Sequence, residues 1–381
     1  MTELTPGSRA PVDRRLGYQP SLDGMRAVAV LAVLGFHAFE WPSGGFLGVD
    51  VFFVLSGFLI TTILLEERIA TGAVSFKAFY SRRMLRLFPA LAVFLAGYVI
   101  VLVASGEASN ARFLDALSAL LYVSNWVIAL GGAFHQEGIG HLWSVAVEEQ
   151  FYLLWPALLV LLASRGLRSA LALAAALTAA LVVWRIGLTT TGAPFVRLYY
   201  ALDTRFDELL VGCLGGIAYV HAGDRLRAID RGLARRASIA ALLLLAVAIV
   251  LVPQADYDVL HLGGYTVLAA ATLVIVVVCV TGLWPGLERA LSAPALVFVG
   301  KISYSLYLWH VLVILVASRA TFLPEVVREV AQVPLSFAAA CASYFFVERP
   351  FLRLKERFAS RRVVMPERGP GRFPFDPEPS A

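Results

Sequence analysis

What most limits the fold of this chain is a succession of ten solid apolar runs. They occupy 22–39, 46–65, 88–104, 143–163, 169–187, 204–221, 237–252, 263–283, 296–316 and 331–347. Each is roughly the length a helix needs to cross a hydrocarbon core, about 20 residues with a range near 17–25. Inside a bilayer every backbone polar group must find an internal partner, which leaves helices or a closed barrel. Barrel strands read as weakly alternating segments of about ten residues. These runs do not alternate, so the chain is expected to be all-α, a polytopic membrane helix bundle of about ten transmembrane helices. Composition supports this: 59% of residues are hydrophobic and 15% charged, against roughly 25% charged in a soluble domain.

An eleventh apolar stretch, 113–130, carries Asp115, Ser118, Ser124 and Asn125. Charge decides how to treat it. With the N-terminus in the cytoplasm and 113–130 read as a re-entrant helix, cytoplasmic segments hold 24 Lys and Arg and external segments hold 4. That asymmetry is the positive-inside pattern. Counting 113–130 as a span would move the basic 222–236 loop outside. The expected location is therefore the inner (cytoplasmic) membrane, multi-pass, with both termini cytoplasmic. Residues 1–20 and 358–381 read as disordered cytoplasmic tails flanking a membrane domain at 21–357. The longest external segment, 105–142, is a candidate lid.

Several function classes recede. The formal net charge of +5 fits basic loops facing anionic lipid better than nucleic acid. Cys213, Cys279 and Cys341 are far apart in apolar runs and form no metal-ligand spacing, so they read as small core residues and no metal is expected. The first apolar run keeps Arg26 and His37, and Trp41-Pro42-Ser43 is no small-x-small cleavage site, so no cleavable signal is expected.

Ionisable residues inside apolar runs usually face a cavity and mark a pathway. Arg26 and His37 are eleven residues apart, which on a helix puts them about 20° apart in azimuth and about 16 Å apart along the axis. Arg26 lies toward the cytoplasmic end and His37 toward the external end. Each also has a plainer explanation: snorkelling for the arginine, a histidine satisfied by a neighbouring helix for the other. Asp50 lies about one turn into the second run, at a depth close to that of His37, where it could orient an imidazole or interact with the helix dipole. Ser56 reads as a hydroxyl bonded to its own backbone, and Gly57 as a close-packing position.

In the fourth run His141 and Glu148 are seven apart and share a face, with Ser144 between them. Glu148 and Glu149 side by side are costly unless they line water or pair. Asp203, Arg205 and Asp207 cluster at the external end of the sixth run. They either close the same cavity or form a structural ion network. Arg82 or Arg83 together with Arg86 makes a one-turn fork suited to phosphates, although loop arginines also serve topology alone. Lys301 and His310 are nine apart on nearly one face, with Tyr304 and Tyr307 between them. A cationic cytoplasmic mouth and an external His/Asp/Glu cluster suit transfer of a group across the membrane.

These residues sit in segments that together resemble the acyltransferase 3 family of integral membrane O-acyltransferases. The carriers are the Arg26/His37 pair, GGFLGVDVFFVLSGFLIT (44–61), RRMLRLFPAL (82–91), HLWSVAVEEQFYLLWP (141–156), DTRFDELLVGCLGG (203–216), GKISYSLYLWH (300–310) and VERPF (347–351). The resemblance covers roughly 18–352. It implies acyl-CoA, commonly acetyl-CoA, as donor co-substrate, with no permanently bound cofactor. It implies a carbohydrate or glycosylated acceptor. It implies His37 as the central catalytic residue, with Arg26, Arg82, Arg83 and Arg86 near the donor. Many members fuse a C-terminal SGNH-type domain. The chain ends at 381 without one, so it is expected to act directly or with a partner protein.

The resulting expectation is an O-acyltransferase. His37, oriented by Asp50 or Glu148, acts as general base or as acyl carrier. Arg26, Arg82, Arg83 and Arg86 hold the donor. His141, Asp203, Arg205, Asp207 and His310 face the acceptor. A secondary transporter of an anionic or sugar-lipid solute is the alternative, but no repeated half is visible.

Overall fold

The computed structural model describes residues 16–253 and 257–355. The expected tails at 1–20 and 358–381 lie largely or wholly outside them. Every regular element among the described residues is helical. In chain order the helices are α1 (Pro20–Phe39), α2 (Gly48–Thr71), α3 (Phe76–Ala104), α4 (Asn110–Leu120), α5 (Ser124–Ala129), α6 (Leu142–Ala163), α7 (Leu167–Thr190) and α8 (Phe195–Tyr200). There follow α9 (Leu202–Arg227), α10 (Arg231–Leu251), α11 (Tyr257–Val259), α12 (Tyr265–Thr281), α13 (Pro285–Leu291), α14 (Pro294–Lys301), α15 (Ser303–Arg319), α16 (Glu325–Ser343) and α17 (Arg349–Lys355).

Among the described residues, eight helices are long and apolar enough to cross a membrane, and α14 with α15 makes a ninth if the pair, bent by 68°, is taken as one span. The expected run 204–221 falls on α9. That helix is 26 residues long but carries Asp203, Arg205, Asp207 and Glu208 in its first two turns, so it stands outside the count. The stretch 113–130 is not one helix. It breaks into α4 and α5 at Leu121–Val123, where Tyr122 has a φ of 56°. At 11 residues, α4 is about 16 Å long, too short to span.

Local chemistry sets several of the ends. Pro20 opens α1 at a position where its missing N–H costs nothing. Ser75 caps α3 by accepting from the Ala78 N–H at 3.3 Å, and Asp230 caps α10 through Leu233 N–H at 2.8 Å.

Glycines let the helix backbones touch. A Cβ on Gly57 of α2 would sit 2.0 Å from the Leu209 carbonyl oxygen of α9, and one on Gly212 of α9 would sit 2.2 Å from the Val54 carbonyl oxygen of α2. This is the close-packing role read for Gly57. The helix carrying Arg26 and His37 is held the same way, because a Cβ on Gly48 would meet the Ala29 carbonyl oxygen and one on Gly300 the Asp23 carbonyl oxygen. Cys213 and Cys279 are buried free thiols, and Cys341 is half-buried.

Candidate active site

A pocket of about 530 Å³, its open mouth included, lies among α1, α2, α3, α6 and α15. Three guanidinium groups line it, Arg26, Arg83 and Arg86, together with a single carboxylate, Glu148. Ser144, Ser303, Tyr152, Tyr304 and Tyr307 supply hydroxyls. Arg26 donates through Nε to Ser303 Oγ at 3.2 Å and lies over the Phe52 ring at 5.3 Å. Arg83 lies over the Tyr152 ring at 4.7 Å. Glu148 accepts from Ser56 Oγ at 2.7 Å, and that hydroxyl accepts from Tyr152 OH at 2.9 Å. Ser56 therefore serves the pocket rather than its own backbone. A cavity with three cations and one anion suits a polyanionic ligand.

Arg82 does not line this pocket. It forms an ion pair with Glu67 at 3.5 Å. Adjacent helix positions differ by about 100°, so the pocket receives Arg83 and, three residues on, Arg86. Lys301 and His310 do not share a helix face, because α14 ends at Lys301 and the axis turns at Ile302. Lys301 lies 5.6 Å from the Tyr18 ring centre.

At the opposite end of α1 three histidines meet. His37 Nδ1 is 3.3 Å from His310 Nε2. The His37 and His310 rings are 4.9 Å apart between centres, and His310 and His141 5.1 Å. Their partners settle the tautomers. His310 Nδ1 faces the carbonyl oxygens of Tyr307 at 2.7 Å and Leu306 at 3.1 Å, so it carries the hydrogen and Nε2 keeps the lone pair. His37 Nδ1 faces Val33 O at 2.9 Å and carries its hydrogen too. That leaves His37 Nε2 with a lone pair on an exposed ring. His141 donates through Nε2 to Leu308 O at 3.1 Å. Tyr307 separates the histidines from the pocket, bonding Ser144 Oγ at 2.5 Å and His141 O at 2.9 Å.

Neither Asp50 nor Glu148 bonds His37. From His141 to Glu148 is seven residues, about 10 Å along α6. Since His141 already lies at the level of His37, Glu148 falls deeper, in the pocket it shares with Arg26. The expectation of one external His/Asp/Glu cluster is corrected accordingly. The imidazole partner of His37 is His310, whereas the sequence alone assigns His310 to the acceptor.

Asp50 instead belongs to a buried ion group. Arg205 NH2 is 2.6 Å from Asp50 Oδ1, and Arg205 Nε is 2.9 Å from Glu208 Oε1. The guanidinium stacks on Tyr265 at 3.8 Å. Asp207 pairs with Arg185 at 2.6 Å and accepts from Thr266 Oγ1 at 2.6 Å. Asp203 pairs with Arg197 at 2.5 Å and accepts from Trp184 Nε1 at 2.8 Å. The three α9 residues thus part company. Positions 203 and 207 are about 40° apart and both reach α7, while 205 is about 200° from each and reaches α2. None of the three lines the pocket.

Reasoning from sequence missed Glu208, Arg185 and Glu348. Glu348 is buried and accepts a hydrogen bond from Ser305 Oγ. The signal for it was its place in VERPF beside the arginine run, within electrostatic reach of Arg86 and Arg26. Within the 105–142 segment His135 pairs with Asp115 at 2.7 Å, and Arg319 of α15 holds the segment through Glu107 at 2.6 Å.

The family profile described as "Acyltransferase domain", that of acyltransferase 3, matches residues 19–347. Peptidoglycan O-acetyltransferase OatA of Listeria monocytogenes is 33% identical over 350 residues, 87% of this chain and 56% of that protein. The "Putative peptidoglycan O-acetyltransferase YrhL" of Bacillus subtilis is 34% identical over 365 residues, 91% of this chain and 57% of that protein. A "Putative O-acetyltransferase" of Staphylococcus aureus is 32% identical over 363 residues, 89% of this chain and 58% of that protein. The chain thus spans a little over half the length of these curated relatives. No solved structure matches it. With a matched profile running through the arginine pocket and all three clustered histidines, the chain belongs to the acyltransferase 3 family of multi-pass membrane acyltransferases.

Proposed function

We propose that this chain moves an acetyl group from acetyl-CoA to a hydroxyl of a cell-envelope carbohydrate. The observation that carries the reading is the pairing, on one helix, of a cationic pocket at Arg26 with a base at His37 whose Nε2 lone pair is uncommitted. Arg83, Arg86 and Arg26 hold the donor's phosphates. Its long thiol arm runs past Phe52 and reaches His37 by displacing the Tyr307 side chain that stands between them. His37 Nε2 takes the proton from the acceptor hydroxyl while the oxygen attacks the thioester carbonyl carbon. The C–S bond then breaks and the thiolate leaves with its electron pair, to be reprotonated. A base placed this way is worth roughly 10²–10⁴ in rate. Because relatives are named peptidoglycan O-acetyltransferases, a peptidoglycan sugar is the favoured acceptor. The same reading puts the chain in the cytoplasmic membrane with both ends inside, on the basic-residue asymmetry of its loops.

The test is to supply membranes containing the chain with radiolabelled acetyl-CoA and peptidoglycan fragments. Ester-linked label in the glycan, absent from membranes lacking the chain, is the expected result. Counterflow of an unmodified solute with no labelled glycan would assign a transporter instead.

A further inference from the structure

His310 is buried, and a simple packing histidine would suffice there. Its surroundings are more specific. Its Nδ1 meets two main-chain oxygens, so both of that nitrogen's available interactions stabilise an N–H. Its Nε2 lone pair is directed at His37 Nδ1 across 3.3 Å. His37 Nδ1 therefore has two acceptors, Val33 O at 2.9 Å and the His310 ring. The titratable groups facing His310 are His37 from α1, His141 from α6 and Tyr307 from its own helix.

We propose that His310 is the second proton carrier of the transfer reaction, so that His37 and His310 work as a pair sharing one proton. This rests on the reading of His37 as the base. When the acceptor O–H bond breaks, its proton binds His37 Nε2. The His37 Nδ1–H bond then breaks and an N–H bond forms at His310 Nε2. The His37 ring returns to neutrality and the charge sits on a ring whose other N–H points at two carbonyls. The O–H electron pair makes the new ester bond and the C–S pair leaves on sulfur. The proton returns through the same bridge to the thiolate, so nothing further is consumed. The buried carbonyl pair makes the imidazolium tolerable in an apolar setting, because a charged donor gains more from such bonds than a neutral one.

The full chain in detergent, labelled with ¹⁵N-histidine, tests the bridge without any substrate. The His37 and His310 rings are expected to take up one proton between them. In His310→Gln, His37 is expected to titrate as an isolated ring. Two rings that protonate independently in the unaltered chain would overturn the proposal, whether or not the variant folds. The second arm is transfer from acetyl-CoA to peptidoglycan fragments. Gln at 310 still offers His37 an acceptor oxygen but cannot take up a proton, so transfer should fall about 10²-fold or more, with acetyl-CoA binding changed less than about twofold. Retention of more than about a tenth of the rate would overturn the relay. His37→Gln separates the two claims. Loss there with full transfer in His310→Gln defeats only the relay, and transfer retained in His37→Gln defeats the base itself.

Discussion

Arg205 on α9 and Asp50 on α2 meet at 2.6 Å with side chains only 1% and 3% exposed, although the two residues are 155 positions apart. Such a pair ties two helices, and neither group lines the pocket. Breaking it from one side strands a buried charge, at a cost of about 3–5 kcal/mol. Arg205→Met should therefore lower the yield and thermal midpoint of the purified chain. The material that does fold should bind acetyl-CoA as before. A normal midpoint with weakened donor binding would return Arg205 to the site.

His37→Gln preserves bulk and hydrogen bonding but removes the proton-accepting nitrogen. Transfer should fall at least about 10²-fold, with yield and donor affinity unchanged. His37→Ala should behave alike. A lower protein level in Ala, with activity intact in Gln, would mark a packing role instead.

Of the three loop-proximal arginines, only Arg83 and Arg86 line the pocket. Replacing both with Gln should weaken acetyl-CoA binding by ten-fold or more, since charged hydrogen bonds contribute roughly 1.5–3 kcal/mol each. Arg82→Gln, whose side chain is engaged with Glu67, should bind the donor nearly normally. Equilibrium binding of labelled acetyl-CoA to the three proteins distinguishes the cases.

Gly212→Ala drives a methyl group to within 2.2 Å of a main-chain oxygen that cannot swing away. Overpacking of this kind costs roughly 1–3 kcal/mol, so the chain should unfold at lower temperature. Gly187 is the control: beyond its own helix backbone, nothing lies within 4 Å of its added Cβ, and Gly187→Ala should be neutral or slightly stabilising through helix propensity.

Reporter fusions should place residue 230 in the cytoplasm and residue 107 outside, the orientation that the distribution of Lys and Arg predicts. An external signal at 230 would invert the bundle.

Helix identity was readable in the sequence because bilayer length and backbone bonding leave few alternatives. Facing was readable too: Arg26 and His37 do both turn toward α15, and Ser144 and Glu148 do share a pocket. Depth was not. The seven-residue step that aligned His141 with Glu148 also separated them by two turns, and only the level at which α6 starts says which one meets His37. Partners across helices were equally hidden. Arg205 looked like part of a cluster with Asp203 and Asp207, yet its partners are Asp50 on α2 and Glu208 one turn on along α9. The bend at Ile302 removed Lys301 from the His310 face, and GKISYSLYLWH carries no breaker beyond a single glycine to announce it.

The main-chain contacts that hold α1 have a consequence for how substrates are handled. With Gly48 against Ala29 and Gly300 against Asp23, the helix can neither slide nor roll without a collision between atoms that have no rotamer to escape into. The span from Arg26 to His37, about 16 Å along the axis, is then a fixed gauge. Under the proposed function, a donor held at Arg26 and reacting at His37 fits its own conformation to that length, and the loss of freedom on binding falls mainly on the small molecule.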